Sequence, residues 1–241
     1  MNLILDFGNT YRKIAVMSQG KMMYFSAKTH ISVDDIVEIE TKYNIKNAIL
    51  SSVIDAAKTR EIEQYLTQRH TFIKLSSDTK LPIKNAYESK STLGSDRLAC
   101  AVAAYTLFPN ENVLILQLGT CLTSDFITKE GVYLGGSISP GMNMRFEALH
   151  HFSAKLPLIE YQNIDFLIGK STKESILSGV INGITAECNY IIDCYKKRYG
   201  SVKIILTGGN AKKFTHTIKD TIFALDDIVI IGLNAILQNN V

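Results

Sequence analysis

Apolar and polar positions along the chain fall into short apolar runs separated by longer amphipathic stretches. The runs are Asn2-Leu3-Ile4-Leu5, Ala48-Ile49-Leu50, Asn112-Val113-Leu114-Ile115-Leu116, Lys203-Ile204-Ile205-Leu206 and Ile228-Val229-Ile230-Ile231. Runs of this length and composition read as strands buried on both faces. Helical periodicity covers Val33–Tyr43, Ala56–Gln68, Asp96–Leu107, Thr172–Arg198 and Leu233–Gln238. Ser32 and Ser171 precede two of these stretches as N-cap residues, each with carboxylates in the following turn. Strands alternating with helices predict an α/β fold.

The pattern repeats. Residues 2–10 read NLILDFGNT and residues 112–120 read NVLILQLGT: an apolar strand, a polar side chain, a glycine, then a threonine. A second pair follows in the same order, IKNAILSSVI at 45–54 and VKIILTGGNA at 202–211. Two ordered matches predict a duplicated architecture. No low-complexity segment or linker marks a boundary, so it is placed after the Asp96–Leu107 helix, giving halves 1–110 and 111–241.

The residues ending the repeated strands carry the candidate chemistry. Gly8 permits a tight turn that leaves the amides of Asn9 and Thr10 free to meet an anion, and Lys13 adds positive charge nearby. Asp6 repels a phosphate unless a hard cation such as Mg²⁺ bridges them. A plain hairpin turn is the competing explanation, weakened by the second copy at Gly119-Thr120. Gly208 and Gly209 follow a strand and let a phosphate or flat ligand approach the backbone; purely structural glycines explain the same pattern. In Gly94-Ser95-Asp96-Arg97, Asp96 can accept the proton of an attacking hydroxyl and Arg97 can fork onto a carboxylate, although an acid opening a helix also serves as a simple cap. Gly169-Lys170-Ser171 lacks the earlier glycine of a P-loop, since that position is Ile164, and His150-His151 cannot place both rings on one helix face.

Composition narrows the function classes. The 241 residues carry 26 basic and 23 acidic side chains for a formal charge of +3, which implies no nucleic-acid partner. No stretch approaches the ~20 apolar residues of a membrane span, and nothing resembles an export signal. Cys100, Cys121, Cys188 and Cys194 form no CxxC pair and sit in apolar segments, as buried free thiols in a reducing cytoplasm would.

Taken in order, these motifs resemble the type III pantothenate kinases, within the superfamily of acetate and sugar kinases, heat-shock chaperones and actin. The matching pieces are DFGNT at 6–10, GSDR at 94–97 with Tyr87 seven residues upstream, and LGTCLTSD at 118–125. GGSISPGMNMRFEAL at 135–149, AKLP at 154–157, GKSTKESILSG at 169–179 and TGGNA at 207–211 extend the match along nearly the whole chain.

The resemblance implies a duplicated actin/ribonuclease H-like fold with a nucleotide cleft between its halves. It implies ATP- and Mg²⁺-dependent phosphorylation of pantothenate to 4'-phosphopantothenate, the first step of coenzyme A biosynthesis, by a cytoplasmic homodimer whose active site lies near the subunit interface. By the same resemblance Asp6, Phe7, Gly8, Asn9, Thr10, Tyr11, Arg12 and Lys13 form the first phosphate segment, with Asp6 toward Mg²⁺. Thr120, Gly208 and Gly209 are further nucleotide contacts. Tyr87, Gly94, Ser95, Asp96 and Arg97 form the pantothenate pocket, with Asp96 the proton acceptor, and Thr172 is a substrate contact reached across the dimer. The wide apolar stripe of the Thr172–Arg198 helix fits that dimer. Members carry an Asp that helps hold a monovalent cation (K⁺ or NH₄⁺) where this chain has Gln117, which puts that cation in doubt. The alternatives are a non-catalytic relative like the Bvg accessory factor and another sugar or acetate kinase of the superfamily.

Overall fold

The computed structural model describes residues 1–8, 10–224 and 227–241. The chain forms two compact units, residues 1–107 with 227–241, and residues 108–226.

In unit 1, β1 (Asn2–Phe7), β2 (Arg12–Ser18) and β3 (Lys21–Lys28) are followed by α1 (Val33–Lys42), β4 (Asn47–Ser52), α2 (Arg60–Arg69) and β5 (Thr71–Lys74). A two-residue strand, β6 (Lys84–Asn85), leads toward α3 (Ser95–Leu107). The sheet order is β3-β2-β1-β4-β5, with β1, β2 and β3 antiparallel and β1, β4 and β5 parallel. Unit 2 contains β7 (Val113–Leu118), β8 (Cys121–Ile127), β9 (Val132–Pro140), α4 (Met142–His151), α5 (Thr172–Tyr199), β10 (Lys203–Thr207) and β11 (Thr221–Ala224). Its strands lie in the order β9-β8-β7-β10-β11, antiparallel then parallel in the same places. The repeated sequences therefore occupy equivalent strands: β1 corresponds to β7, and β4 to β10.

Alternation along each strand divides the side chains between two faces. In unit 1, Leu3, Leu5, Phe7, Ala48 and Leu50 pack with Ile36 and Ile39 of α1 and Ile62 and Leu66 of α2. Ser32 caps α1 through a reciprocal box with Asp35, whose carboxylate takes the Ser32 amide at 2.8 Å. In unit 2, Leu114, Leu116, Leu122 and Phe126 meet Met142 and Phe146 of α4 and the buried stripe of α5, from Ile176 to Ile192. Ser171 caps α5 by accepting the Glu174 amide at 3.2 Å.

Four sequence expectations are corrected. Residues 228–231 are not a strand but the first turn of α6 (Ile228–Gln238). That helix is apolar nearly all round because it packs on β1, β4 and α3, and a four-residue apolar run cannot distinguish such a helix from a strand. Its packing also returns residues 227–241 to unit 1, so a single division at 110 does not describe the units. The junction with α3 is tight: a Cβ at Gly232 would lie 1.8 Å from the Ala99 carbonyl oxygen. The stretch expected as one helix from Ala56 is a 3₁₀ turn, Ala56–Lys58, before α2. Cys194 is exposed rather than buried, whereas burial pushes the Cys188 thiol up to about 12.

Candidate active site

The buried end of β1 sets the first part of the site. Parallel register places Asp6 beside Ser51 of β4, and antiparallel register places it beside Lys13 of β2. Ser51 is 1% exposed; its hydroxyl donates to Asp6 Oδ1 at 3.2 Å and lies 2.9 Å from Ser95 Oγ. Burial raises the Asp6 carboxyl to about 6, against the opposing pull of Lys13, and the negative charge of Asp96 raises it further. The Gly8 amide closes the following turn on the Tyr11 carbonyl at 3.0 Å.

Not every residue of this segment points at a ligand. Phe7 is fully buried in the core, and Arg12 lies over its ring at 5.2 Å while donating to the Ile31 carbonyl at 3.3 Å. Phe7 can offer only backbone, and Arg12 serves the strand packing. Tyr11 and Thr10 are exposed, and Asn9 lies outside the described residues.

The start of α3 carries the second part. Gly94 supplies the carbonyl that accepts the Leu98 amide at 3.2 Å, so the helix begins there. The Asp96 carboxylate folds back over Gly94: a Cβ on that glycine would sit 2.6 Å from Asp96 Oδ1. Arg97 is 6% exposed, with its guanidinium 5.7 Å from the centre of the Tyr87 ring. The Tyr87 amide donates to Asn85 Oδ1 at 3.0 Å, fixing the loop that delivers the ring. Unit 1 therefore gathers Asp6, Lys13, Ser51, Ser95 and Asp96 around the ends of β1 and β4, with Arg97 and Tyr87 in the first turn of α3 and the loop before it.

Unit 2 builds the equivalent turn without the acid. Gln117 occupies the place of Asp6, between Thr123 of β8 and Thr207 of β10. The Gly119 amide bonds to the Cys121 carbonyl at 3.0 Å, as Gly8 bonds in unit 1. Thr120 accepts the Gly141 amide at 3.1 Å, which seats the start of α4 on the turn; a Cβ at Gly141 would come within 2.3 Å of the Thr120 oxygen. Gly208 has φ +94 and lies over Leu118, a conformation and closeness that exclude a side chain. The Asn210 amide then donates to the Leu118 carbonyl at 3.0 Å, so Thr120, Gly208 and Gly209 are brought together.

Asp125 is 1% exposed and accepts the Tyr133 hydroxyl at 2.6 Å. It also accepts the hydroxyl of Thr123, the β8 residue paired with Gln117, at 3.4 Å. Thr172 opens α5 at the rim of a groove of about 1030 Å³, lined by Arg145, Leu149, Leu156, Ile176 and Val180. Arg145 is held there by an ion pair with Glu187 and by donating to the Pro140 carbonyl at 2.8 Å. Among the described residues no three His, Cys, Asp or Glu side chains cluster to cage a metal.

Sequence reasoning missed Ser51. The signal was present: Ser51 in LSSVI aligns with Thr207 in LTGGN, both ending the strand beside the key polar position.

A Baf family transcriptional activator from Campylobacter jejuni superposes with TM-score 0.61 at 21% identity, covering 99% of this chain and 98% of that one. A glucokinase from an Antarctic psychrotroph superposes with TM-score 0.52 at 13% identity, covering 99% of each. Likeness at such identities shows fold alone: the duplicated two-unit α/β architecture described above. Sequence then separates the members. Residues 2–194 match the family model for type III pantothenate kinase. The type III pantothenate kinase of Cytophaga hutchinsonii is 44% identical over 241 residues, covering all of both chains. That of Christiangramia forsetii is 40% identical over 244 residues, covering 100% of this chain and 99% of the relative. The chain belongs to the type III pantothenate kinase family.

Burial of Asp6 has a measurable consequence. Its folded value of about 6 lies above the ordinary 3.8, so the native state holds this proton more tightly than the unfolded chain. The stability contributed by that proton is complete below about pH 4 and is lost as pH rises through 6. Asp6→Asn should stabilise the ligand-free protein at pH 8 by up to about 2 kcal/mol, and by progressively less between pH 6 and 4. Urea unfolding across that range measures it; a pH-independent difference would contradict the assignment.

Proposed function

We propose that the protein transfers the γ-phosphoryl group of ATP to the primary hydroxyl of pantothenate, yielding 4'-phosphopantothenate and ADP at the first step of coenzyme A biosynthesis. The observation that carries this reading is the carboxylate of Asp96 at the opening turn of α3, beside Asp6 and next to the buried Arg97, whose guanidinium lies over the Tyr87 ring. Asp96 accepts the hydroxyl proton as the oxygen bonds to phosphorus and the bond to ADP breaks. Arg97 forks onto the pantothenate carboxylate, with Tyr87 ordering its guanidinium. Gly94 and Ser95 form the adjoining pocket wall, and Gly94 leaves Asp96 the space it occupies.

Asp6 suits Mg²⁺ because it is a hard oxygen donor whose charge is poorly solvated and lies near a second carboxylate. One protein carboxylate plus phosphate oxygens is an ordinary magnesium environment. When bound, Mg²⁺ neutralises charge on the phosphates. Lys13, the Gly8–Thr10 turn including Asn9, and Thr120 contact phosphate oxygens, and Gly208 and Gly209 give the adenosine a side-chain-free surface.

We further propose a homodimer that brings Thr172 to the pantothenate site of the partner subunit. The α5 stripe does not support it, since that stripe is spent on the core of unit 2. Support comes from the apolar groove at Thr172 and from Phe152, Leu167 and Ile168, which are 85%, 76% and 77% exposed. No described helix is long and apolar enough to cross a membrane. Placement in the cytoplasm fits four cysteines that form no disulfide.

Asp96→Asn keeps the side-chain shape but removes the proton acceptor. It should lower kcat by about 10²–10⁴ while leaving the melting midpoint and the KM for ATP nearly unchanged. Near-native turnover in this variant would remove Asp96 from the mechanism.

Gln117 offers a carbonyl oxygen without a negative charge, so its hold on a monovalent cation is weak. Initial rates measured against KCl, at ionic strength balanced with a bulky organic cation, should rise by less than about threefold in the wild type and more steeply in Gln117→Asp. A steep, saturable K⁺ requirement that the substitution leaves unchanged would overturn this.

A further inference from the structure

Two carboxylates must keep a fixed separation for the proposed reaction, yet they belong to different elements. Asp6 ends a strand, whereas Asp96 lies in the first turn of a helix reached more than forty residues after β4. Gly94, which precedes α3, has no side chain that could tie the start of the helix to the sheet, so a tether has to come from another residue. Ser51 provides one. Its hydroxyl reaches Asp6 Oδ1 at 3.2 Å and Ser95 Oγ at 2.9 Å, and Ser95 directly precedes Asp96. A hydroxyl has one proton. Ser51 directs its own at both Asp6 Oδ1 and Ser95 Oγ, linking the first residue of α3 to the Asp6 carboxylate. With Ser51 only 1% exposed, water cannot readily take over a broken link.

We propose that Ser51 is a positioning residue that ties the first turn of α3 to Asp6 and thereby sets where the Asp96 carboxylate stands relative to the phosphate-binding turn. This rests on the roles given above to Asp96 and Asp6. Ser51 touches neither substrate, so its loss acts on geometry. Displacements of about 1 Å at a reacting group can cost up to about a hundredfold in rate without weakening substrate capture equally.

The test uses the full chain with Ser51→Ala, Ser95→Ala and the double variant. Each single substitution should lower kcat by about tenfold, and in Ser51→Ala KM for pantothenate and its calorimetric affinity in the absence of nucleotide should change by less than about threefold. The double variant should be no slower than the worse single one, because both break one link. Hydrogen exchange in the ligand-free protein supplies a readout apart from activity: in Ser51→Ala the Leu98 amide, bonded to Gly94 at 3.2 Å, should lose protection while the global melting midpoint stays within a few degrees. Wild-type kcat in Ser51→Ala would overturn the proposal. So would additive losses in the double variant, or a parallel fall of kcat, pantothenate affinity and melting midpoint, which marks a merely structural serine. Asp96→Asn and Asp6→Asn in the same assay separate the failures: if they are inactive while Ser51→Ala is not, the tether fails and the site stands.

Discussion

A half-buried carboxylate at the end of a parallel strand pair is the constraint around which unit 1 is arranged. Taking Asp6 out of water raises its carboxyl to about 6, a cost that only specific neighbours offset. Those neighbours are supplied by register. A one-residue slip of β4 would replace Ser51 with a side chain pointing to the other face, and a slip of β2 would remove Lys13. The face that carries Asp6 also meets α6, where Asn2 donates to Asn234 Oδ1 at 2.9 Å and accepts from Asn47 at 3.0 Å. The same sheet face thus contains a satisfied amide ladder at one end and the Asp6 carboxylate at the other.

The duplication sets that carboxylate apart. Units 1 and 2 share strand order, strand direction and the glycine turn after the first strand. They differ at the equivalent polar position: Asp6 flanked by Lys13 and Ser51 in one, Gln117 flanked by Thr123 and Thr207 in the other. A neutral amide among neutral hydroxyls needs no counter-charge, whereas Asp6 has Lys13 beside it. Gly208 and Gly141 serve that turn by letting two backbone segments lie against it closer than any side chain permits.

Much of this was legible in the residues. The strand–glycine–threonine repeat located β1, β7 and their turns, and the second repeat located β4 and β10, because short apolar strands buried on both faces leave a strong local signal. The GSDR segment marked the start of α3 for the same local reason. What escaped was set by packing rather than by neighbours in sequence. The 228–231 run became helical because α6 is covered on several sides, and its return to unit 1 depends on a contact between Gly232 and Ala99 that no local pattern encodes. Ser51 looked like an ordinary serine until strand register put it beside Asp6. Asp125, within the LGTCLTSD motif of which only Thr120 was singled out as a contact, proved to be a buried partner of Tyr133.

The central claim is that this arrangement moves a phosphoryl group from ATP to the primary hydroxyl of pantothenate. Incubating the purified full chain with ATP, Mg²⁺ and pantothenate, and following products by mass spectrometry, tests it most directly. The account predicts ADP and 4'-phosphopantothenate in equal amounts, with no ADP beyond background when pantothenate is omitted. ADP with free phosphate alone, or no turnover with pantothenate alongside phosphorylation of a sugar such as glucose, would contradict it.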